Sequence, residues 1–278
     1  VERVDRPDRG GVFVDYLQRS RSDTRSFIPA APAMHASPPD ATQVLLTNYE
    51  PEGETRVAAA ILFELGDISD EAAWAAACNL SVAERRELIY AYVGPRSNRR
   101  HRPGRAFERI RYRFEVVADY GAFRDLQRHR LLTIEWQQLT PHLGYDLPPE
   151  IVALGPEAER EWRSLMDEAA ALYETLRAGA SPAVAQYVVP MAYRIRFVMD
   201  MNAREAMHVI ELRTSEQAHP NYRRVCLEMH RLIAEQAGHR LIAGAVRFVG
   251  GGDGGLERLS SEQRIEARRS ALAAREPS

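Results

Sequence analysis

Two stretches of the chain alternate strictly between apolar and polar residues. Every second side chain is apolar in residues 110–116 and again in residues 193–199, and most of the intervening residues are charged. The apolar positions are Ile110, Tyr112, Phe114 and Val116 in the first stretch, and Tyr193, Ile195, Phe197 and Met199 in the second. A period of two residues is typical of a strand with one buried face. The pattern therefore predicts two strands of a sheet with one polar face.

Other stretches carry apolar residues at helical spacing. A long stripe runs from Trp162 to Leu176 and ends near Gly179, and a second runs from Tyr222 to Ile233. Three alanine-rich or amphipathic helices are predicted over Thr55–Glu64, Asp70–Asn79 and Val82–Tyr92. Few strands and several amphipathic helices indicate an α+β fold, with an antiparallel or mixed sheet covered by helices.

Composition changes along the chain divide it into three parts. Residues 1–40 are polar and rich in Arg, Ser, Pro and Ala, which predicts an extended arm. Folding begins at Val44-Leu45-Leu46, so residues 41–248 are predicted to form the main domain. Residues 249–278 hold a glycine-rich joint and a charged tail. The chain begins at Val1 without Met, which is compatible with a further domain upstream.

Charge and cysteine content narrow the possible partners. The formal net charge is -2, so no general attraction to nucleic acid or to an anionic membrane is expected. The two cysteines, Cys78 and Cys226, lie in helix-like stretches and give no disulfide framework, which fits a reducing cytoplasm. Cys226 with His230 is an i, i+4 pair, but core packing is favoured over a metal site, and no metal is expected.

The run Arg128-His129-Arg130 is the first candidate for binding chemistry. Two guanidinium groups beside an imidazole suit an anionic cofactor, because arginine presents a fork of donors to phosphate oxygens. The alternative is a solvated basic corner in which the arginines pair with Asp125 and Glu135.

The run Asn202 to Arg213 is the second candidate. Asn202 and Glu205 have the spacing of a helix N-cap and its reciprocal acid. At 100° per residue Arg213 lies above Asn202 on the same edge of the helix, so both can border one pocket.

These two runs resemble the motifs of the flavin-dependent thymidylate synthases, which have an Arg-His-Arg signature and a later Asn-Ala-Arg-Glu-Leu helix that ends in Leu-Arg. Phe107-Glu108-Arg109 resembles the Phe-Glu-His ahead of the family's signature, and Val188-Val189-Pro190 resembles its Leu-Pro element. The resemblance covers roughly Val44 to Ile242.

The resemblance implies an enzyme that binds FAD, oxidises NADPH and methylates dUMP with methylenetetrahydrofolate, as needed for dTMP biosynthesis. It also implies a homotetramer. The FAD-binding positions would be Arg128, His129, Arg130, Asn202, His208 and Leu212. Arg213 would be the catalytic residue and would face the pyrimidine nucleotide.

The chain departs from the family in one region. Gln138 and Thr140 stand where the family has its nucleotide-phosphate serine and arginine, Gln186 stands at another nucleotide arginine, and Asp125 replaces a glutamine. The basic loop Arg96 to Arg105, with Arg100, is the predicted replacement for the phosphate contacts, together with Gln138.

Two further interpretations stay open because of these departures. One is action on a related pyrimidine or another acceptor. The other is a non-catalytic member that serves as an FAD-binding or oligomerisation scaffold, as half of a tandem protein.

Overall fold

The computed structural model describes residues 7–28, 41–250, 262–264 and 266–267. The chain divides into two compact units, Val1–Pro38 and Pro39–Ser278. In the described part of the first unit, Pro7–Arg25 form helix α1. The prediction of an extended arm is therefore wrong over this stretch. The physical reason is that residues 12–25 contain no glycine or proline that would stop a helix.

The described part of the second unit contains the two predicted strands and the predicted helices, together with further strands and helices. Its strands are β1 (Gln43–Tyr49), β2 (Arg111–Asp119), β3 (Thr133–Trp136) and β4 (Arg194–Asn202). Its helices are α2 (Gly53–Leu65), α3 (Asp70–Asn79), α4 (Val82–Val93), α5 (Tyr120–Leu126), α6 (Pro149–Leu154), α7 (Pro156–Gly179), α8 (Pro182–Ala185), α9 (Ala203–Arg213), α10 (Pro220–Glu235) and α11 (Arg240–Ala245). Single 3₁₀ turns occupy Arg105–Arg109, Pro141–Leu143 and Gln186–Val188.

The sheet has the strand order β1-β2-β4-β3, and every neighbouring pair is antiparallel. The α+β prediction is confirmed. The alternating apolar residues of β2 and β4 are buried in one core, against which α10 packs over β1 and β2. No helix in the described residues is long and apolar enough to cross a bilayer.

The polar face of the sheet is covered by ion pairs between β2 and β4. Arg111 and Arg113 both contact the carboxylate of Asp200, and Arg196 pairs with Glu115. Arg194 lies on the same face of β4 as Arg196, but it is buried, and its Nε lies 2.7 Å from Asp146 Oδ1. Burial of this guanidinium is stabilised by further donation to the carbonyl oxygen of Tyr145 at 2.8 Å.

The two candidate motifs follow directly after the central strands. Asp119 ends β2 and caps α5, accepting a hydrogen bond from the amide of Ala122 at 2.8 Å. Asn202 ends β4 and caps α9 by accepting from the amide of Glu205 at 2.8 Å. Since β2 and β4 are antiparallel, α5 and α9 begin at opposite ends of the strand pair. Helix α9 runs back about 16 Å at 1.5 Å per residue, and its last residue arrives at the end of α5.

The predicted glycine joint and charged tail lie largely outside the described residues, from residue 251 onward.

Candidate functional site

The last residue of α9 contacts the motif that follows α5. Arg213 Nε donates to His129 Nε2 at 2.9 Å, and Arg213 Nη2 donates to the carbonyl oxygen of Asp125 at 2.8 Å. The guanidinium carbon also lies 5.4 Å from the centre of the Tyr222 ring. Two motifs that are 84 residues apart in sequence are thereby brought into one cluster.

His129 is buried, and its two ring nitrogens face different partners. Arginine has no acceptor atom, so a hydrogen bond from Arg213 requires an unprotonated Nε2 on His129. The neutral ring then carries its proton on Nδ1, which lies 3.5 Å from Glu205 Oε1. Glu205 is buried as well.

Glu205 differs from the prediction that it acts as a reciprocal capping acid. Its carboxylate lies near His129, and Asn202 alone caps the helix through its side chain. The physical reason is that Asn202 is also the last residue of β4, paired with Arg111. Glu205 and Tyr222 are the site residues that sequence reasoning missed. The only sequence signal was the i, i+3 spacing of Glu205 and His208 on α9.

His208 packs beside His129, with ring centres 5.7 Å apart. Burial lowers the pKa of His208, and the positive charges of Arg102 and Arg99 lower it further, whereas Glu205 opposes this shift. The imidazole of His208 is thus favoured in its neutral form at the edge of an electropositive region.

His129, Glu205 and His208 form a cluster whose ligand-type atoms lie within 4.8 Å of one another. Two histidines and a carboxylate are donors that zinc accepts. However, His129 offers its Nε2 to Arg213 and carries a proton on Nδ1, so a metal would have to displace either the arginine or that proton. The positive charges of Arg99 and Arg102 also oppose a cation. The donor set therefore fits an internal hydrogen-bonding role better than metal ligation.

Arg128 and Arg130 face the solvent on either side of buried His129. Arg128 pairs with Asp125, and its side chain remains 66% exposed. Asn202 and Leu212 lie on α9 and are both half-buried. The structure therefore brings His129, His208 and Arg213 together and leaves Asn202 at the opposite end of α9. A ligand that touched both ends would have to extend over about 16 Å.

The residues that depart from the family motif use their side chains on the backbone of this chain. Gln138 Nε2 donates to the carbonyl oxygen of Pro182 at 2.6 Å, and Gln186 Oε1 accepts from the amide of Leu139 at 2.9 Å. Thr140 caps a 3₁₀ turn. Gln186 lines a largely apolar cleft of about 560 Å³, and the lining also includes Trp136, which is 57% exposed. The lining residues are Tyr120, Trp136, Leu139, Ala183, Val184, Gln186, Tyr187, Val189 and Ile195.

The basic loop is only partly available to a ligand. Arg96 is buried, and its Nη1 and Nη2 each lie 2.7 Å from a carboxylate oxygen of Glu211 on α9. Its inclusion in the predicted phosphate contacts is wrong, because this guanidinium is engaged with a buried acid. Arg105 is paired with Glu108. Arg100 is exposed, as are its neighbours Arg99 and Arg102.

Comparison with known proteins places this arrangement in a family. The chain is 43% identical over 169 residues to a UPF0159 protein of Thermoplasma acidophilum, covering 61% of this chain and 33% of that protein. It is 39% identical over 88 residues to the flavin-dependent thymidylate synthase of Thermococcus onnurineus, covering 31% of this chain and 36% of that enzyme. The chain thus spans about a third of the length of either relative.

A solved structure shares the fold. The UMP/dUMP methylase PolB of Streptomyces cacaoi, bound with 5-Br dUMP, superposes with a TM-score of 0.57 at 19% identity, covering 75% of this chain and 97% of that one. The Thymidylate synthase complementing protein family matches residues 45–237, a range that contains every residue of the cluster described above. The predicted resemblance is confirmed, and the chain belongs to the family of thymidylate synthase complementing proteins.

Proposed function

We propose that this protein methylates a pyrimidine nucleotide, dUMP or a close relative, with methylenetetrahydrofolate as one-carbon donor, FAD as cofactor and NADPH as reductant. The family supports this reaction class, and the names of the relative from Thermococcus onnurineus and of the methylase from Streptomyces cacaoi agree with it. The reaction fits a homotetramer in the cytoplasm, as the family resemblance implies.

The observation that carries the proposal is the fixed guanidinium of Arg213. It is held by His129, the carbonyl oxygen of Asp125 and the ring of Tyr222, and 14% of its side chain stays exposed. A cation that is oriented before the ligand arrives can stabilise negative charge that develops on a pyrimidine ring without further reorganisation.

The residues around this cation fit an extended, negatively charged cofactor. Arg128 and Arg130 are exposed and can donate to phosphate oxygens. Asn202 precedes α9 and Arg213 ends it, with His208 and Leu212 between them, and the distance of about 16 Å along the helix suits a dinucleotide better than a single ring. When bound, FAD would supply the redox chemistry that protein side chains lack.

Nucleotide phosphate would be contacted from the basic loop in this chain. Gln138 and Gln186 are neutral and bonded to backbone atoms, so neither provides a cation. Arg100, with Arg99 and Arg102, is exposed on the loop that Arg96 anchors to α9. Arg100 is therefore the proposed phosphate contact.

A second candidate function is an FAD-binding or oligomerisation scaffold that lacks its own catalysis. Two observations favour it: the amides at the altered positions, and the span of about a third of the relatives' length, which leaves room for an active partner domain in the longer proteins.

The test is reconstitution of the purified full chain with FAD, NADPH, methylenetetrahydrofolate and dUMP. We expect a yellow protein with an oxidised-flavin spectrum, NADPH oxidation that responds to dUMP, and dTMP among the products. A yellow protein that forms no dTMP or other methylated pyrimidine would favour the scaffold. A colourless protein that takes up no added FAD would contradict the methylation proposal and the FAD-binding form of the scaffold.

A further inference from the structure

The geometry around Arg213 points to two positioning residues, and we propose that His129 and Glu205 orient its guanidinium toward the nucleotide. His129 accepts a hydrogen bond from Arg213, and the carboxylate of Glu205 lies 3.5 Å from the other ring nitrogen of His129. This inference rests on the proposed function. It assigns His129 a role different from direct contact with the cofactor.

The hydrogen bond between Arg213 and His129 can have only one direction. Arg213 Nε can only donate, so His129 Nε2 accepts at 2.9 Å, and the proton of the neutral ring lies on Nδ1. That nitrogen faces Glu205 Oε1 at 3.5 Å. Protonation of Nε2 would abolish the bond and place two cations in contact. The arrangement of Arg213, His129 and Glu205 therefore requires the His129 tautomer that is protonated on Nδ1.

The two proposed positioning groups are buried. The side chains of His129 and Glu205 are 5% and 6% exposed, compared with 14% for Arg213. A buried carboxylate is costly unless a donor or a positive charge compensates it. The Nδ1 atom of His129 lies 3.5 Å from the Glu205 carboxylate, and Arg213, which is hydrogen-bonded to Nε2, brings a positive charge to the other side of the ring.

Two of the three guanidinium nitrogens of Arg213 are engaged by protein groups. Its Nε and Nη2 are engaged by His129 and by the carbonyl oxygen of Asp125, and its plane lies over Tyr222. Among the described residues, its Nη1 has only a long contact, 3.9 Å, to the carboxylate of Asp125. The edge with Nη1 is thus the edge that the chain leaves available for a ligand, and the engaged atoms decide which way it points.

Direct flavin contact through the His129 ring would require different geometry. Both ring nitrogens already face protein groups, and the residue is buried between two exposed arginines. Arg128 and Arg130 can meet an anionic cofactor without disturbing the ring. Hence a loss of His129 should affect turnover more than affinity for FAD.

The experiment compares two pairs of variants in the full chain. His129→Leu removes the acceptor for Arg213 Nε, and Glu205→Leu removes the carboxylate beside His129 Nδ1. His129→Gln and Glu205→Gln instead keep an oxygen that can accept from Arg213 Nε or from His129 Nδ1. The matched control is the exposed pair of His142 and Glu174, in which Nε2 and Oε1 lie 2.9 Å apart, changed to leucine in the same way. FAD affinity, dUMP affinity, kcat and thermal stability are measured for each protein.

We expect kcat to fall about 100-fold or more in the leucine variants, comparable to the loss of one oriented donor, while FAD affinity changes by only a few-fold. The glutamine variants should keep kcat within about tenfold of the wild type. Adding His129→Leu to Arg213→Ala should lower kcat little further, because either change alone already removes the oriented guanidinium. Leucine variants with wild-type kcat would overturn the inference. So would equal losses in FAD affinity and kcat, which would mark His129 as a cofactor contact.

A spectroscopic readout separates this inference from the proposed function. Imidazole ¹⁵N NMR of the ligand-free protein, with the His129 signal assigned by its loss in His129→Gln, should show a neutral ring protonated on Nδ1. Arg213→Ala and Glu205→Leu should each weaken this preference. A ring protonated on Nε2 or on both nitrogens would overturn the positioning role. Failure of the wild type to bind FAD and dUMP would instead overturn the proposed function, and is seen before any variant is compared.

Discussion

Charged groups around α9 and polar groups in the segment Thr133–Pro141 differ in burial and in the partners that they contact. Beside α9, Glu211 is buried against Arg96 and Glu205 is buried against His129, so each acid has a partner of fixed geometry. In Thr133–Pro141, Gln138 is exposed, and its amide bonds to a backbone carbonyl.

This difference explains where the chain can depart from its relatives at low cost. Removal of one member of a buried pair leaves an uncompensated charge in the interior, whereas a change at an exposed amide leaves only a solvated backbone group. Three of the departures from the family motif, Gln138, Thr140 and Gln186, lie in or against the second region. The fourth, Asp125, contacts Arg213 in the first region, but its side chain is 29% exposed, and the first region keeps its Arg-His-Arg and Leu-Arg residues.

The largest expected effect comes from breaking the buried pair of Arg96 and Glu211. Their side chains are 3% and 2% exposed, and Glu211→Gln leaves the guanidinium without its counter-charge. We expect the free energy of unfolding to fall by about 3–5 kcal/mol, measured by urea denaturation. Glu228→Gln, which breaks an exposed pair with Arg231, is the control and should cost less than about 1 kcal/mol. Equal losses in the two variants would remove the contrast between the regions.

Loss of Arg213 should be the next largest effect and should concern activity. Arg213→Ala removes the oriented cation, so we expect kcat for nucleotide methylation to fall by about 10²–10³-fold while FAD still binds. The control is Arg160→Ala, because Arg160 is exposed on α7. Unchanged turnover in Arg213→Ala would mean that the buried side chains of His129 and Glu205 serve folding alone.

Much of the fold was predictable from local sequence patterns. The strict alternation in β2 and β4 and the apolar stripes of α7 and α10 report directly which face of an element is buried. The same patterns did not indicate that Arg194 is buried, because its burial on the polar face depends on Asp146, 48 residues away.

The candidate site was predictable only in part for the same physical reason. Residue type and order identified Arg128 to Arg130 and the helix from Asn202 to Arg213 as parts of one site. The pairings of Glu205 with His129 and of Glu211 with Arg96 join segments that are far apart in sequence. No periodicity reports such contacts, so Arg96 was assigned to ligand binding although it is a structural partner.

An added arginine at position 138 tests whether the second region borders the nucleotide phosphate. Gln138→Arg would present a guanidinium beside the cleft, and we expect affinity for dUMP to rise about tenfold, as one charge-assisted hydrogen bond contributes about 1.5–3 kcal/mol. The adjacent exposed residue provides the control, Gln137→Arg. Isothermal titration calorimetry of the FAD-loaded protein measures both. A gain that is equal in the two variants would indicate general charge attraction and not a phosphate position.

The smallest expected effect concerns the half-buried histidine at the edge of the α9 cluster. Burial and the nearby Arg102 and Arg99 lower the pKa of His208 from its ordinary value of 6.5, against the opposing effect of Glu205. As pH falls below 6.5, the unfolded chain therefore takes up the proton before the folded protein does, and stability declines. Urea denaturation between neutral and mildly acidic pH should show a shallower decline in His208→Gln than in the wild type. His219→Gln changes an exposed histidine and should keep the wild-type slope. If His208→Gln kept that slope as well, the groups around α9 would not be holding His208 neutral, and the contrast with the exposed segment would rest on its ion pairs alone.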